Sequence, residues 1–104
     1  MAKYVLVFHG GSMPETEEES AAVMAAWGVW MEGLGSALTD PGNPFGRAVT
    51  ISSDGSTTEG GGANPASGYT VIDADSLDAA VTLAKGCPIL VGGGSIEVTE
   101  ALDM

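Results

Sequence analysis

Positive charge is the scarcest feature of this chain. Of 104 residues only three are Lys or Arg, against 14 Asp or Glu, which leaves a net charge of −11 at pH 7. Nucleic acid and anionic membrane surfaces are bound through Lys and Arg, so neither is an expected partner. A single cysteine, Cys87, excludes a disulfide within the chain, and a single histidine, His9, excludes a His-rich metal site. No apolar run approaches the length needed to span a bilayer, and the run at 4–8 is also too short for the core of a signal peptide. With no targeting segment in view and an unpaired thiol, a soluble cytoplasmic protein is the expectation.

Apolar residues, by contrast, make up 44% of the chain, enough to build a core and to argue against disorder despite the charge. A domain of this size buries roughly two-thirds of its unfolded surface. One domain over residues 1–104 is therefore expected, without a disulfide staple.

Residues 3–9 open with Tyr4, Val5, Leu6, Val7 and Phe8 apolar in succession, the pattern of a strand covered on both faces. Gly10 and Gly11 end it. A helix follows. Two capping-box spacings, Ser12 with Glu15 and Thr16 with Glu19, leave its start open by one turn. Glu15, Glu17, Glu18 and Glu19 fall where the positive end of the helix dipole favours carboxylates. Val23, Trp27, Trp30, Met31 and Leu34 recur at helical spacing as one apolar stripe, and Gly33 and Gly35 offer the stop.

Residues 37–40 read as a short strand and Pro41-Gly42-Asn43-Pro44 as a turn cluster. Residues 47–52 alternate, with Val49 and Ile51 on one side. Asp54-Gly55 has the composition of a hairpin turn, and 56–59 would return from it. Gly60, Gly61, Gly62, Asn64, Pro65 and Gly68 read as a loop with nothing apolar to bury, either mobile or shaped around a partner. A second strand–helix–strand unit closes the chain. Its first strand is 69–74, and its helix is capped by Ser76 with Leu77, Ala80, Val81 and Ala84 along one face. In its last strand, 95–101, Ile96 and Val98 alternate with Glu97 and Thr99, as at a sheet edge.

A β-α-β unit, an extra hairpin and a second β-α-β unit predict an α+β ferredoxin-like sandwich, with an antiparallel sheet backed by two helices. Two helices cover one sheet face, yet the first strand is apolar on both. Burying Val5 and Val7 against a second copy is the simplest remedy. The expected assembly is a symmetric homodimer packed sheet against sheet.

Several short motifs point the same way. They are the strand at 4–8, Trp27 and Trp30 followed by Leu34-Gly35, and Gly42-Asn43-Pro44-Phe45-Gly46. Asn64-Pro65, Gly68-Tyr69, Ala74-Asp75-Ser76, Gly86-Cys87-Pro88 and Ile96-Glu97-Val98 continue the series. Together, over nearly the whole chain, they resemble the YCII-related family. The resemblance implies a ferredoxin-like fold that pairs into a dimeric α/β barrel, and it implies no particular reaction, because most of that family has no assigned function. The Asp-Gly-Pro-Phe tetrapeptide of a related branch is absent, and the loop around Asn64 stands roughly in its place. Some relatives are thought to use a His–Asp pair with the histidine in the first helix. Here that helix has no histidine.

His9 is the sharpest chemical candidate, as a general base or a hydrogen-bond donor, with Asp40 orienting it if the two strand ends converge. Trp27 and Trp30 read first as core packing and second as a stacking surface for a ligand. Asn43 and Phe45 complete the expected lining of a cleft at the dimer interface. The glycine clusters lack the helix N-terminus and the Lys of a phosphate loop, so turn geometry explains them. Asp73, Asp75 and Asp78 do not have calcium-loop spacing, and Cys87 follows a helix C-terminus that disfavours a thiolate. No cofactor and no metal are expected. The chain thus reads as a protein that binds a small neutral or cationic molecule in a dimer-interface cleft around His9, with weak acid–base catalysis as its extension. The alternative is a non-catalytic dimerisation or regulatory module acting through protein contacts.

Overall fold

Strands and helices alternate along the chain in the computed structural model, which describes residues 2–11 and 15–103. They are β1 (Ala2–His9), α1 (Glu17–Leu34), β2 (Leu38–Asp40), β3 (Val49–Ile51), β4 (Thr57–Glu59), β5 (Ala66–Ala74), α2 (Leu77–Ala84) and β6 (Ser95–Ala101). Four of the strands form one sheet in the order β2-β5-β1-β6, antiparallel throughout, while β3 and β4 pair only with each other. The result is an α+β fold with an antiparallel sheet and two helices, compatible with a ferredoxin-like fold. The sheet stays open, with β2 and β6 at its edges. Among the described residues no helix is long and apolar enough to cross a membrane.

Alternation along β1 decides which side chains are covered. Tyr4, Leu6 and Phe8 are buried, and they lie opposite Ile72, Thr70 and Gly68 of β5. Trp30 and Leu34 of α1, Ala80 and Ala84 of α2, and Cys87 complete the core on that face. Full burial of a side chain such as Leu6 contributes about 1.5–3 kcal/mol. Val5 and Val7 point to the helix-free face, beside Val71 and Tyr69, and are only half-buried.

Capping is settled at Thr16, whose Oγ1 accepts a hydrogen bond from the Glu19 amide at 3.0 Å. Glu19 returns a carboxylate to the Glu15 amide, one residue before the cap. The Ser12 alternative lies outside the described residues. At the other end Trp30 Nε1 donates to the Leu83 carbonyl at 3.0 Å, tying α1 to α2. Ser76 caps α2 by accepting from the Ala79 amide.

Two expectations need correction. Residues 66–68, read as loop, belong to β5, because Gly68 pairs with Phe8 and is approached closely by the chain at 43–44. A Cβ at Gly68 would meet the Asn43 carbonyl oxygen at 3.1 Å, so this glycine serves close packing rather than flexibility. The apolar stripe of α1 is also not uniformly covered. Trp30 and Leu34 are buried, but Val23 is exposed, because the N-terminal half of α1 stands off the sheet.

The β3–β4 hairpin projects from the rest of the molecule. All six of its strand residues are exposed, and it is closed by the Ser52 amide donating to the Ser56 carbonyl and the Gly55 amide to the Ser52 carbonyl, with Gly55 at φ +91°. The Asp54 side chain accepts from the Ser56 hydroxyl and amide, which holds its carboxyl below the usual range. Arg47 pairs with Glu59 at the base. The projecting arm helps raise the radius of gyration to 15.0 Å, against about 13 Å for a compact chain of this length.

Candidate functional site

A large cavity opens where α1 stands off the sheet. Its volume is about 920 Å³, at the upper end of the range for small-molecule sites. Three pieces of chain wall it. Residues 22–31 of α1 supply Met24, Trp27 and Met31, and the centre of the sheet supplies Phe8 and the start of β5. The third wall is the pair of segments 41–44 and 88–92, which flank the sheet next to β2 and β6. Those strands are opposite sheet edges, so the two segments close the cavity from opposite sides.

Aromatic rings order the floor. Phe8 meets Trp27 edge to face at 5.3 Å between ring centroids, and Trp27 meets Trp30 at 5.6 Å in the same manner. Such pairs are worth about 0.5–1.5 kcal/mol beyond their burial. They fix Trp27 at the wall while Trp30 remains in the core. Across from them, Met24 (73% exposed) and Val91 (92% exposed) are apolar side chains that the described residues leave largely uncovered. No Asp, Glu, Lys, Arg or His is among the described lining residues, in a protein whose net charge is −11.

A β-bulge shapes one end. Phe8 pairs with Gly68 and His9 with Ala66, so Ser67 has no partner on β1 and joins the cavity wall. Bulges re-aim side chains in this way next to binding sites. The segment 41–44 locks onto the same strand end, since the Tyr69 amide donates to the Asn43 carbonyl and the Phe45 amide to the Ser67 carbonyl. A Cβ at Gly42, with φ at +71°, would fall on the Tyr69 carbonyl. Only glycine fits there.

The residues singled out from sequence divide between two places. Trp27 and Asn43 line the cavity. Trp30 is sealed behind it, and Phe45 stacks on Tyr69 at 5.7 Å outside it. His9 lies on the helix-free face with Val5 and Val7. Its Nδ1 sits 3.1 Å from the Asn64 carbonyl and 3.3 Å from that of Pro65, so this nitrogen carries the proton and donates. His9 thereby pins the glycine-rich loop to the end of β1. Its Nε2 is buried, 3.4 Å from a Glu97 carboxylate oxygen, and has no properly directed hydrogen bond. Asp40 instead accepts from the Gly42 amide at 2.9 Å, with the Tyr69 hydroxyl at 3.5 Å. Among the described contacts, no hydrogen bond or ion pair joins His9 to Asp40. The cleft expected around His9 therefore differs from the cavity, which occupies the opposite, helix-bearing face.

Cys87 is buried at the end of the second helical segment, and burial pushes its thiol up to about 11. It stays protonated at neutral pH and offers no nucleophile to the adjacent cavity wall. Ser67, Met24, Met31 and Val91 are the site residues that motif reading missed. The one available signal was the α1 sequence from Ala21 to Met31, which is apolar on every side and carries no charge. That is more apolar surface than one sheet-facing stripe requires.

Compared with known proteins, the chain matches no family model and no curated protein at a significant level.

Proposed function

We propose that this protein binds a small uncharged molecule in the cavity between α1 and the sheet. The observation that carries the reading is a mostly apolar cavity of about 920 Å³ with three aromatic residues and no charged residue in its described wall. Burial of apolar ligand surface there would contribute roughly 25 cal/mol per Å². The strongly negative field of the whole protein adds a bias against anions.

The resemblance to the YCII-related family supports a second part of the proposal, a homodimer packed through the helix-free face as in a dimeric α/β barrel. Val5, Val7 and Val71 give that face an apolar centre. A further reading places a second site at this interface, around His9, and a specific observation favours it. The buried Nε2 of His9 makes no hydrogen bond among the described residues, with the Glu97 carboxylate 3.4 Å away. A partner group or a ligand would fill that place, and His9 could then exchange a proton with it.

Native mass spectrometry of gently purified protein tests the assembly and the ligand together. The proposal expects a dimer carrying a reproducible extra mass. Val7→Glu puts a carboxylate in the centre of the helix-free face and is expected to give a folded monomer. A dimer that persists in Val7→Glu would overturn the sheet-to-sheet pairing. An extra mass retained in Met24→Glu but lost in His9→Gln would move the ligand to the interface.

A further inference from the structure

The cavity is not apolar all round, and the distribution of its few polar groups defines a ligand class. This inference rests on the reading of the cavity as a ligand site. The polar residues of its wall, Asn43, Ser67, Tyr69 and Thr70, all come from segment 41–44 and the start of β5, next to one edge of the sheet. Segment 88–92, next to the other edge, contributes Pro88, Ile89 and Val91, and α1 contributes Val23, Met24 and Met31. Two of the four polar groups are already engaged. The Thr70 hydroxyl donates to the Pro41 carbonyl at 3.0 Å, and the Tyr69 hydroxyl lies by Asp40.

Asn43 and Ser67 differ. Their main-chain oxygens hold the 43–45 and β5 segments together, but neither the Asn43 amide nor the Ser67 hydroxyl has a hydrogen bond to another described residue. An amide and a hydroxyl together supply both donors and acceptors. Ser67 is the residue that the β-bulge removes from pairing with β1. A bulge costs ladder hydrogen bonds, and here it coincides with the place where Ser67 joins the wall of a mostly apolar chamber.

We propose that the cavity takes an uncharged, mostly apolar molecule, with a single hydrogen-bonding group at the end facing Asn43 and Ser67. The aromatic or alicyclic body of such a molecule lies against Trp27 and the Phe8 edge. Met24 and Met31 form the adaptable side of the wall, since unbranched thioethers conform to irregular apolar shapes and make favourable contacts with rings. Carboxylate-bearing molecules are disfavoured because no cation is among the described lining residues. Ammonium compounds are disfavoured because no carboxylate is among them.

Fluorescence titration of the full chain with two dyes reads the charge preference. One is neutral N-phenyl-naphthylamine, and the other is anilinonaphthalene sulfonate, which adds an anion to the same aromatic frame. The neutral dye is expected to bind at least about tenfold more tightly. Equal affinities would overturn the uncharged class while leaving the ligand site in place. Naphthol and naphthalene, each competed against the neutral dye, read the polar end. Naphthol is expected to compete about 2–10-fold better, and the Asn43→Leu, Ser67→Ala double variant is expected to erase that advantage. An advantage that is absent in the wild type, or that survives both substitutions, would overturn the polar end.

Met24→Glu locates the dye. The position is exposed, so the fold tolerates the change, and loss of neutral-dye binding is expected. Undiminished dye binding in Met24→Glu would place the dye elsewhere and overturn the inference. Absence of binding by all four probes would instead overturn the cavity as a ligand site.

Discussion

Trp27 and Trp30 stand three residues apart on one helix and do different things. Trp30 is buried, and its indole N–H has found the Leu83 carbonyl, as an interior tryptophan requires. Trp27 keeps one side on the cavity. Sequence spacing assigned both to one stripe, and the distinction depends on the last turn of α2, where Leu83 lies 53 residues beyond Trp30. Cys87 carries the clearest prediction at this scale. Burial raises its thiol from the ordinary 9.0 to about 11, so the folded state favours the neutral form. Its contribution to stability is complete below about pH 9 and is lost as pH rises toward 11, by about 2 kcal/mol. Urea unfolding at pH 8 and at pH 10.5 should show this loss in the wild type. Cys87→Ala should lose less stability over the same interval, and an identical pH dependence in both would contradict the assignment.

Secondary elements were legible wherever the signal is local. The β3–β4 hairpin follows from alternation around Asp54-Gly55 and the start of α2 from Ser76, while the start of α1 was open between Ser12 and Thr16 until the Thr16 cap decided it. The start of β5 was not legible, because Gly68 looks like a loop residue until the 43–44 segment is laid against it. The same limit applies to α1. Its apolar residues announced a helix, but not that the N-terminal half would stand away from the sheet. Gly28 sits within that helix with no atom near enough to contact an added Cβ. Gly28→Ala should therefore stabilise the protein by up to about 1 kcal/mol through helix propensity alone. Thermal or urea unfolding measures it, and a destabilised variant would show that the glycine has a packing role.

Taken whole, the molecule is a thin plate, 43 × 43 × 18 Å, with one sheet face under helices and the other bare. Composition made the scarcity of cations plain, and the described cavity wall contains none. The location of the cavity was not visible in the same way. His9 drew notice as the single imidazole, but a chamber made by a helix, a bulged strand and two flanking segments leaves no contiguous motif. Only Trp27 and Asn43 were recognised in advance, one as an aromatic on a helical stripe and the other as part of a turn.

The most direct test is a methyl spectrum of protein labelled with ¹³C at the methionine methyls, recorded while N-phenyl-naphthylamine is added. Met24 and Met31 lie in the cavity wall, and Met24→Leu and Met31→Leu assign their signals. Saturable shifts of both methyls, lost in Met24→Glu at the remaining Met31 signal, are the result expected here. Unmoved Met24 and Met31 signals at saturating dye would contradict a ligand site between α1 and the sheet.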